Sequence, residues 1–323
     1  MAKDKERTFF FTSQEQVNPE AAEAQNKNIS PLSGLACDSF NRRPLAVMLS
    51  ADTVTRPLSG LSEADMVFEM QVVQNSITRF MAVYVCNSPI EIGSIRSARH
   101  PFIALAMGID AIYAHWGGSH FALDKLDAKI MDNIDALKNP FDAFFRKATI
   151  YAPHNGFSSM ERLVNSASKL GYSLENKFEG YPHLENPKSK ILNPKNTIIK
   201  IGYAYPWNVG WDYDAQNNSY LRMRGNKPEM DKNNSQQVRA SVIVVMRAQS
   251  RELEGQYNDV DIEGSGDLEV YQNGEEIKGI WKKDKANPAS KLYFLDFNGQ
   301  EIKFVPGQIW VEIIEPRKDV SYN

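Results

Sequence analysis

Apolar residues in the first half of the chain come in short runs separated by polar and glycine-rich breaks. The run Leu45-Ala46-Val47-Met48-Leu49, entered through Arg43-Pro44, has strand length and predicts a first buried strand. Ala64–Val72 alternates in part and predicts a second. Thr78–Val85 is apolar, aromatic and β-branched, the composition that packs well on a pleated surface, and predicts a third. Pro101 suits a first helical turn, where its missing N–H costs nothing, so Phe102–Met107 reads as helical. Asp110–His115 predicts another buried strand, ending at Gly117-Gly118-Ser119, with Ser119 placed to cap a helix that runs to about Lys129. An amphipathic helix over Ser159–Leu170 stops at Gly171. Strands interleaved with helices imply α/β layering over roughly residues 31–175.

From about Lys195 helical periodicity gives out. Ile198–Tyr203, Gly210–Tyr213, Ser219–Met223, Ala240–Arg247, Leu268–Gln272 and Ile309–Ile314 read as strands, and Asn273-Gly274 and Asn298-Gly299 as hairpin turns. The chain is therefore expected to be α+β or α/β. An N-terminal mixed sheet with flanking helices covers 31–180, and a mostly antiparallel β half covers 195–317. That half is either a separate domain or a set of strands extending one sheet. Tyr181–Asn196, with three prolines, reads as the linker. Residues 1–30 read as a tether, since Thr12–Asn28 is rich in Gln, Glu, Asn and Ala and poor in apolar anchors.

Composition changes the picture only by exclusion. The 37 Lys+Arg and 40 Asp+Glu of the 323 residues give a net charge of −3, which argues against bulk electrostatic attachment to nucleic acid. No apolar run approaches the ~18 residues of a membrane span. The N-terminus is charged, and Phe9-Phe10-Phe11 is too short for a signal core. The sequence taken literally is cytosolic; the other reading is an exported chain seen without its export segment. Cys86 ends an apolar run and reads as a small buried residue, Cys37 lies in a loop, and a disulfide between them is open. No motif calls for a metal or another cofactor.

Three stretches could carry chemistry. In Ser94-Ile95-Arg96-Ser97-Ala98-Arg99-His100, two arginines three apart stand at a strand-to-helix junction, where free N–H groups and guanidinium forks suit an oxyanion. The alternative is that Arg96 and Arg99 pair with Asp65 and Glu69 and only hold strands together. In His115-Trp116-Gly117-Gly118-Ser119-His120, His115 ends a strand where α/β folds place ligands and could move protons, or else is a satisfied histidine in a tight turn. In Tyr151-Ala152-Pro153-His154-Asn155, a loop carries His154 and Asn155, the latter otherwise a helix cap. Arg222, Arg224 and Asp231 flank a Gly225-Asn226 turn and read as a solvated hairpin. Tyr203, Tyr205, Trp207, Trp211 and Tyr213 read as core or sheet surface, or as a stacking face.

Several motifs together resemble the YerB-like bacterial lipoproteins, the domain of unknown function 3048 in its N- and C-terminal parts. They are Asn41–Val47, Arg56–Leu61, Ala64–Glu69, Ile77–Phe80, Ile92–Arg99 and Ala152–Asn155, then Gly264–Gly266, Gly279–Trp281 and Pro306–Val311. The likeness runs from about Pro31 to Glu315. It implies an exported, lipid-anchored envelope protein and supplies no reaction. One departure is Pro228-Glu229-Met230-Asp231, where relatives often carry Pro-His-x-Asp. A fainter likeness over about fifty residues, from Phe80–Val85 through Ile95-Arg96 to Tyr113–Gly118, is to the LytR-CpsA-Psr phosphotransferases, whose metal-binding acids are not matched.

The expectation is an extracytoplasmic binding protein whose pocket, lined by Arg79, Arg96, Arg99, His115 and His154 with Asn155 beside them, takes an anionic envelope ligand (phosphate, pyrophosphate or cell-wall glycan), with Asp65 and Glu69 orienting the arginines. The alternatives are a phosphotransferase or hydrolase on lipid-linked or wall-glycan substrates, with His115 or His154 moving the proton, and a scaffold for another envelope protein through Tyr203–Tyr213. Contact with membrane is expected only through a lipid anchor.

Overall fold

The computed structural model describes residues 28–185, Pro187, Pro194 and 197–322. Residues 1–27 of the tether expected over 1–30, and most of the linker expected over Tyr181–Asn196, lie outside the described residues; Ser30, at the end of that tether, is instead buried and tied to Asp65. Strands of the first half are β1 Leu45–Ser50, β2 Met66–Gln71, β3 Thr78–Tyr84, β4 Ile92–Gly93, β5 Ile112–His115, β6 Asn133–Asp135, β7 Phe145–Arg146 and β8 Gly156–Ser158. Its helices are α1 His100–Gly108, α2 His120–Asp127 and α3 Met160–Lys169. The second half contributes β9 Ile198–Ile201, β10 Val209–Asp214, β11 Ser219–Arg224, β12 Lys227–Pro228, β13 Arg239–Ala240, β14 Val242–Arg247 and β15 Ser250–Leu253. It continues with β16 Tyr257–Val260, β17 Gly264–Gln272, β18 Glu275–Lys283, β19 Tyr293–Asp296, β20 Ile309–Ile314 and β21 Val320–Tyr322.

The two halves share one ten-stranded sheet, in the order β19-β18-β17-β14-β20-β2-β3-β1-β5-β6. Of the arrangements open in the sequence, extension of one sheet is the one found. The joint is β20, parallel to β2 on one side and to β14 on the other. Six apolar and acidic residues of β20, Ile309–Ile314, are all buried, as a strand covered on both faces requires. One face packs on α1 and α2 through Phe102, Leu105, Ala122 and Leu126. The other packs on α3 and on a second sheet, β12-β11-β10-β9-β21, through Leu163, Trp211, Tyr220 and Trp310. The local signals act as expected at the helix starts: the Ser119 and Ser159 hydroxyls accept from the Ala122 and Arg162 N–H groups. Asn273 and Gly274 both take positive φ, 56° and 65°, and turn β17 into β18.

Between the two sheets lies a buried ion network. The β2–β20 register puts Glu69 directly beside Glu312, and both are fully buried. Two guanidiniums from β11 meet them. Arg222 pairs with Glu69, with Glu229 at 2.7 Å and with Glu312 at 2.8 Å. Arg224 pairs with Glu69 and, at 3.1 Å, with Glu229. The Arg222 guanidinium also lies 3.9 Å from the Trp310 ring centre and 4.8 Å from that of Trp211. Arg222 and Arg224 are thus no solvated hairpin. Asp231 is buried as well and accepts from the Gly60 and Ser62 N–H groups at 3.1 and 2.7 Å.

Asp65 performs a different tie. Its Oδ1 accepts from the Ser30 and Ser33 hydroxyls at 2.9 and 2.6 Å, and its Oδ2 from the Val85 and Cys86 N–H groups at 2.8 and 3.0 Å. The entering chain is thereby fastened to the far end of β3, where Cys37 is bonded to Cys86. Cys86 is half-exposed and oxidised, not a buried core thiol.

Three carboxylates face two guanidiniums, so one carboxyl keeps its proton. Burial, then the Glu69 charge, pushes Glu312 up to about 8. The unfolded chain releases that proton near the ordinary glutamate value while the folded chain holds it, so the folded state loses stability as pH rises through that window. Glu312→Gln is expected to flatten the decline, melting above the wild type near neutral pH by a few degrees and converging with it at acid pH; parallel melting curves across pH overturn the assignment. Replacing Cys37 and Cys86 by alanine together, which opens a loop of 49 residues, is expected to cost about 2–4 kcal/mol in denaturant unfolding.

Candidate functional site

Strands β1, β5 and β6 run parallel, and β3 runs against β1, so the start of β3 meets the carboxyl ends of the other three. Ligands of α/β sheets collect at that end. The segment 94–99 crosses it as a crossbar: Arg96 N–H donates to Met48 C=O at 2.9 Å, Trp116 N–H to Arg96 C=O at 3.0 Å, and Ala98 N–H to Gly117 C=O at 2.8 Å. These bonds take up the backbone and leave the Arg96 and Arg99 side chains beside Arg79, which stands at the start of β3, opposite Ser50.

Arg79 is 4% exposed, and among the described residues its side chain makes one hydrogen bond, from Nη1 to the Ser97 carbonyl at 3.0 Å. Arg96 Nη1 donates to the Pro153 carbonyl at 3.0 Å, and Arg99 Nη1 to the Ala98 carbonyl at 3.0 Å. Among the described residues the buried Nε atoms of all three have no partner. Arg96 lines a cavity of about 190 Å³ together with Ile95, Ser97, Trp116, Arg146, Ala152 and Pro153. Arg146 stacks 4.2 Å from the Trp116 ring centre and donates to the Asn155 amide oxygen at 2.6 Å. His154 is half-buried beside Arg96, with its Nδ1 covered and unpartnered.

Among the described residues, none of Arg79, Arg96, Arg99 and Arg146 has a carboxylate oxygen within 4.0 Å. Asp52 is the carboxylate whose charge reaches Arg79, Arg96 and His154, from beyond ion-pair distance. Burial lowers the pKa of Arg79, Arg96 and Arg99, and repulsion by its neighbours lowers Arg79 further. Burial, then the Arg96 charge, holds His154 below the usual histidine range, so its ring is neutral at neutral pH. The arrangement is a set of guanidinium donors with nothing negative to satisfy them. Among the described residues no three His, Cys, Asp or Glu side chains come together to hold a metal ion.

The sequence-derived set divides accordingly. Arg79, Arg96, Arg99, His154 and Asn155 come together at this end of the sheet. Asp65 does not orient arginines, because its four acceptor contacts are spent on the entering chain and β3. Glu69 does not either: it points to the opposite face of the sheet, onto Arg222 and Arg224. His115 is fully buried, with Nδ1 against the Gly117 carbonyl at 2.9 Å and Nε2 against the Asn133 amide oxygen at 3.2 Å. Burial also lowers its pKa, and it does not reach the cavity. Arg146 escapes sequence reasoning, since it sits in a two-residue strand with no motif around it. Of the aromatic group, Tyr203 and Trp211 are core and only Tyr205 is well exposed, at 71%.

An α+β protein built on two large packed sheets, with a carboxylate-free arginine cluster among the described residues at one sheet end, is the class these observations define. Residues 32–173 match the N-terminal domain, and 199–311 the C-terminal domain, of the "Protein of unknown function (DUF3048)" family. The chain belongs to that family. It is 28% identical over 314 residues to "Putative lipoprotein YerB" of Bacillus subtilis (strain 168), covering 95% of this chain and 92% of that one. The crystal structure of YerB protein from Bacillus subtilis superposes with a TM-score of 0.81 at 27% identity, covering 91% of this chain and all of that one.

A buried guanidinium held by a single carbonyl is a cost to folding. Arg79→Met is therefore expected to stabilise the ligand-free protein by about 1–4 kcal/mol, measured by denaturant unfolding in a buffer free of multivalent anions. Destabilisation of core-truncation size would mean that Arg79 is a structural residue.

Proposed function

We propose that the protein is an extracytoplasmic, lipid-anchored binding protein that holds an oxyanion group of a cell-envelope component (a phosphate, pyrophosphate or anionic glycan) in the cavity between Arg96 and Arg146. The observation that carries this reading is the cluster of guanidiniums without carboxylate partners. An oxyanion there would accept from forks already held in place, each charge-assisted bond contributing roughly 1.5–3 kcal/mol. Two further points support the compartment. The Cys37–Cys86 bond belongs to oxidising surroundings, and the relative's printed name is that of a lipoprotein.

A second reading, phosphoryl or glycosyl transfer on a lipid-linked or wall-glycan substrate, has His154 in its favour. A neutral imidazole with a free Nδ1 beside Arg96 is placed to take a proton. Its test is turnover of such a substrate that is lost in His154→Ala.

Isothermal titration with inorganic phosphate and pyrophosphate, in chloride buffer, is expected to show binding that Arg96→Ala weakens at least about tenfold. Absence of binding, or equal binding by the variant, overturns the reading. A bound anion beside His154 offsets the repulsion from Arg96, so binding takes up a proton there. With sulfate, a dianion throughout the range, affinity is expected to rise as pH falls from about 8 to about 5, and His154→Ala to abolish the rise.

A further inference from the structure

The cavity between Arg96 and Arg146 is small. At about 190 Å³ it is below the roughly 300–1,000 Å³ of sites that enclose a cofactor or drug-sized molecule. It admits one compact anionic group and not a sugar ring with its substituents. Yet the positive charge does not stop at its wall. Ser97 lines the cavity, and its carbonyl is the group that Arg79 Nη1 holds. Arg79 in turn is close enough to Arg96 and Arg99 for each to act on its charge. The guanidiniums thus extend as a row from Arg146 and Arg96 at the cavity to Arg79 and Arg99 outside it, on the side of α1, with Arg96 acting on both of the outer two.

The far end of the row is built by the second half of the chain. The β15–β16 hairpin brings Tyr257 over Arg99, at 5.6 Å from the ring centre. The hairpin is pinned by Asn258, which donates to the Gln71 carbonyl at 3.0 Å, and by Asp259, whose carboxylate meets His100 Nε2 at 2.8 Å. Asp259 therefore spends its charge on His100 and on Arg251, at 2.6 Å, and leaves Arg99 without a carboxylate. Among the described residues the four guanidiniums have no carboxylate at ion-pair distance, and Asp52 acts on Arg79 and Arg96 only from further off. One phosphate, carrying about −1.5 to −2 at neutral pH, leaves part of the row uncompensated.

We propose that the site takes a linear polyanion, two or more phosphate-like groups joined in a chain, with one group in the Arg96–Arg146 cavity and the next along Arg79 and Arg99 beneath Tyr257. This rests on the oxyanion reading above and specifies its ligand class. The cavity fixes the end of the chain, and the row outside reads its length. Arg99 and Tyr257 are then specificity residues, contributing to long ligands and little to short ones.

Titration of the full chain with inorganic phosphate, pyrophosphate and tripolyphosphate at one ionic strength tests this. Affinity is expected to rise at least about tenfold from phosphate to tripolyphosphate. Arg99→Met is expected to lower tripolyphosphate affinity about tenfold more than it lowers phosphate affinity. A log–log salt slope steeper for tripolyphosphate than for phosphate is the third expected result. If phosphate binds and all three ligands bind alike, or if Arg99→Met weakens all three equally, the row is not read and the proposal falls while the oxyanion reading stands. If none binds, both fall. Tyr257→Leu supplies a variant outside the charged row: loss of the length preference with folding intact supports the proposal, and full retention counts against it.

Discussion

Parallel pairing of β2 with β20 sets the Glu69 and Glu312 carboxyls side by side in the layer between two sheets, where neither touches water. Like charges directly opposed on neighbouring strands repel, and dry surroundings magnify the repulsion. The pairing is tolerable because Glu312 keeps its proton and because β11 of the other sheet delivers Arg222 to both carboxyls and Arg224 to Glu69, the two arginines sharing Glu229 as a further acid. Docking of the second sheet is therefore tied to the strand pairing that joins the two halves. Thr78 completes the arrangement with a hydroxyl on Glu69 at 2.5 Å. The next residue on β3 is Arg79, which by the alternation of a strand points to the opposite face. The network that closes one side of the sheet thus fixes the base of the arginine cluster on the other.

The two sets of buried arginines make an internal comparison. Arg222 and Arg224 have carboxylates within 3.1 Å and aromatic rings against their faces. In the layer between the two sheets, then, this fold supplies the acids that neutralise its guanidiniums. On the other face of β3 it does not: among the described residues the Arg79, Arg96 and Arg99 side chains hold one backbone carbonyl each and keep a bare Nε. The acid of the neighbouring hairpin is engaged elsewhere, Asp259 on His100 and Arg251. A site that leaves desolvated cations unpaired while the carboxylate of that hairpin is committed to other partners has the charge deficit an anionic ligand removes.

Most of the elements are legible in the sequence because their signals are local. Ser119 and Ser159 cap helices, Asn273-Gly274 turns a hairpin, and the run Thr78–Tyr84 is buried throughout, as its composition indicates. The convergence of Arg79, Arg96, Arg99 and the 151–155 loop is legible too, since polar residues gathered at strand ends have few other places to go. What pattern does not carry is the partner of a charge. Glu69 looks to nearby arginines in the sequence, but it meets Arg222 and Arg224, about 150 residues later, because a whole second sheet packs on its face. His115 ends a strand at the ligand end, yet the chain turns back through Gly117 and buries the ring. Arg146 reaches the cavity from a strand of two residues, too short for any periodicity to announce.

The division of the chain into two family domains does not divide the physics. The last strand of the large sheet's central run, β20, lies between β2 and β14, so each half completes its sheet only with the other. The β15–β16 hairpin crosses to the first half and covers Arg99 with Tyr257. Without the second half, Glu69 would face solvent with no counter-charge, the apolar edge of β2 would lie open, and the arginine row would lose its far wall. The same sequence separation that makes these contacts costly to form gives them their specificity, because no local segment can assemble the site alone. The binding end is therefore a property of the joined sheet, held at its base by the buried acids of β2 and β20 and finished at its rim by a hairpin from the other half.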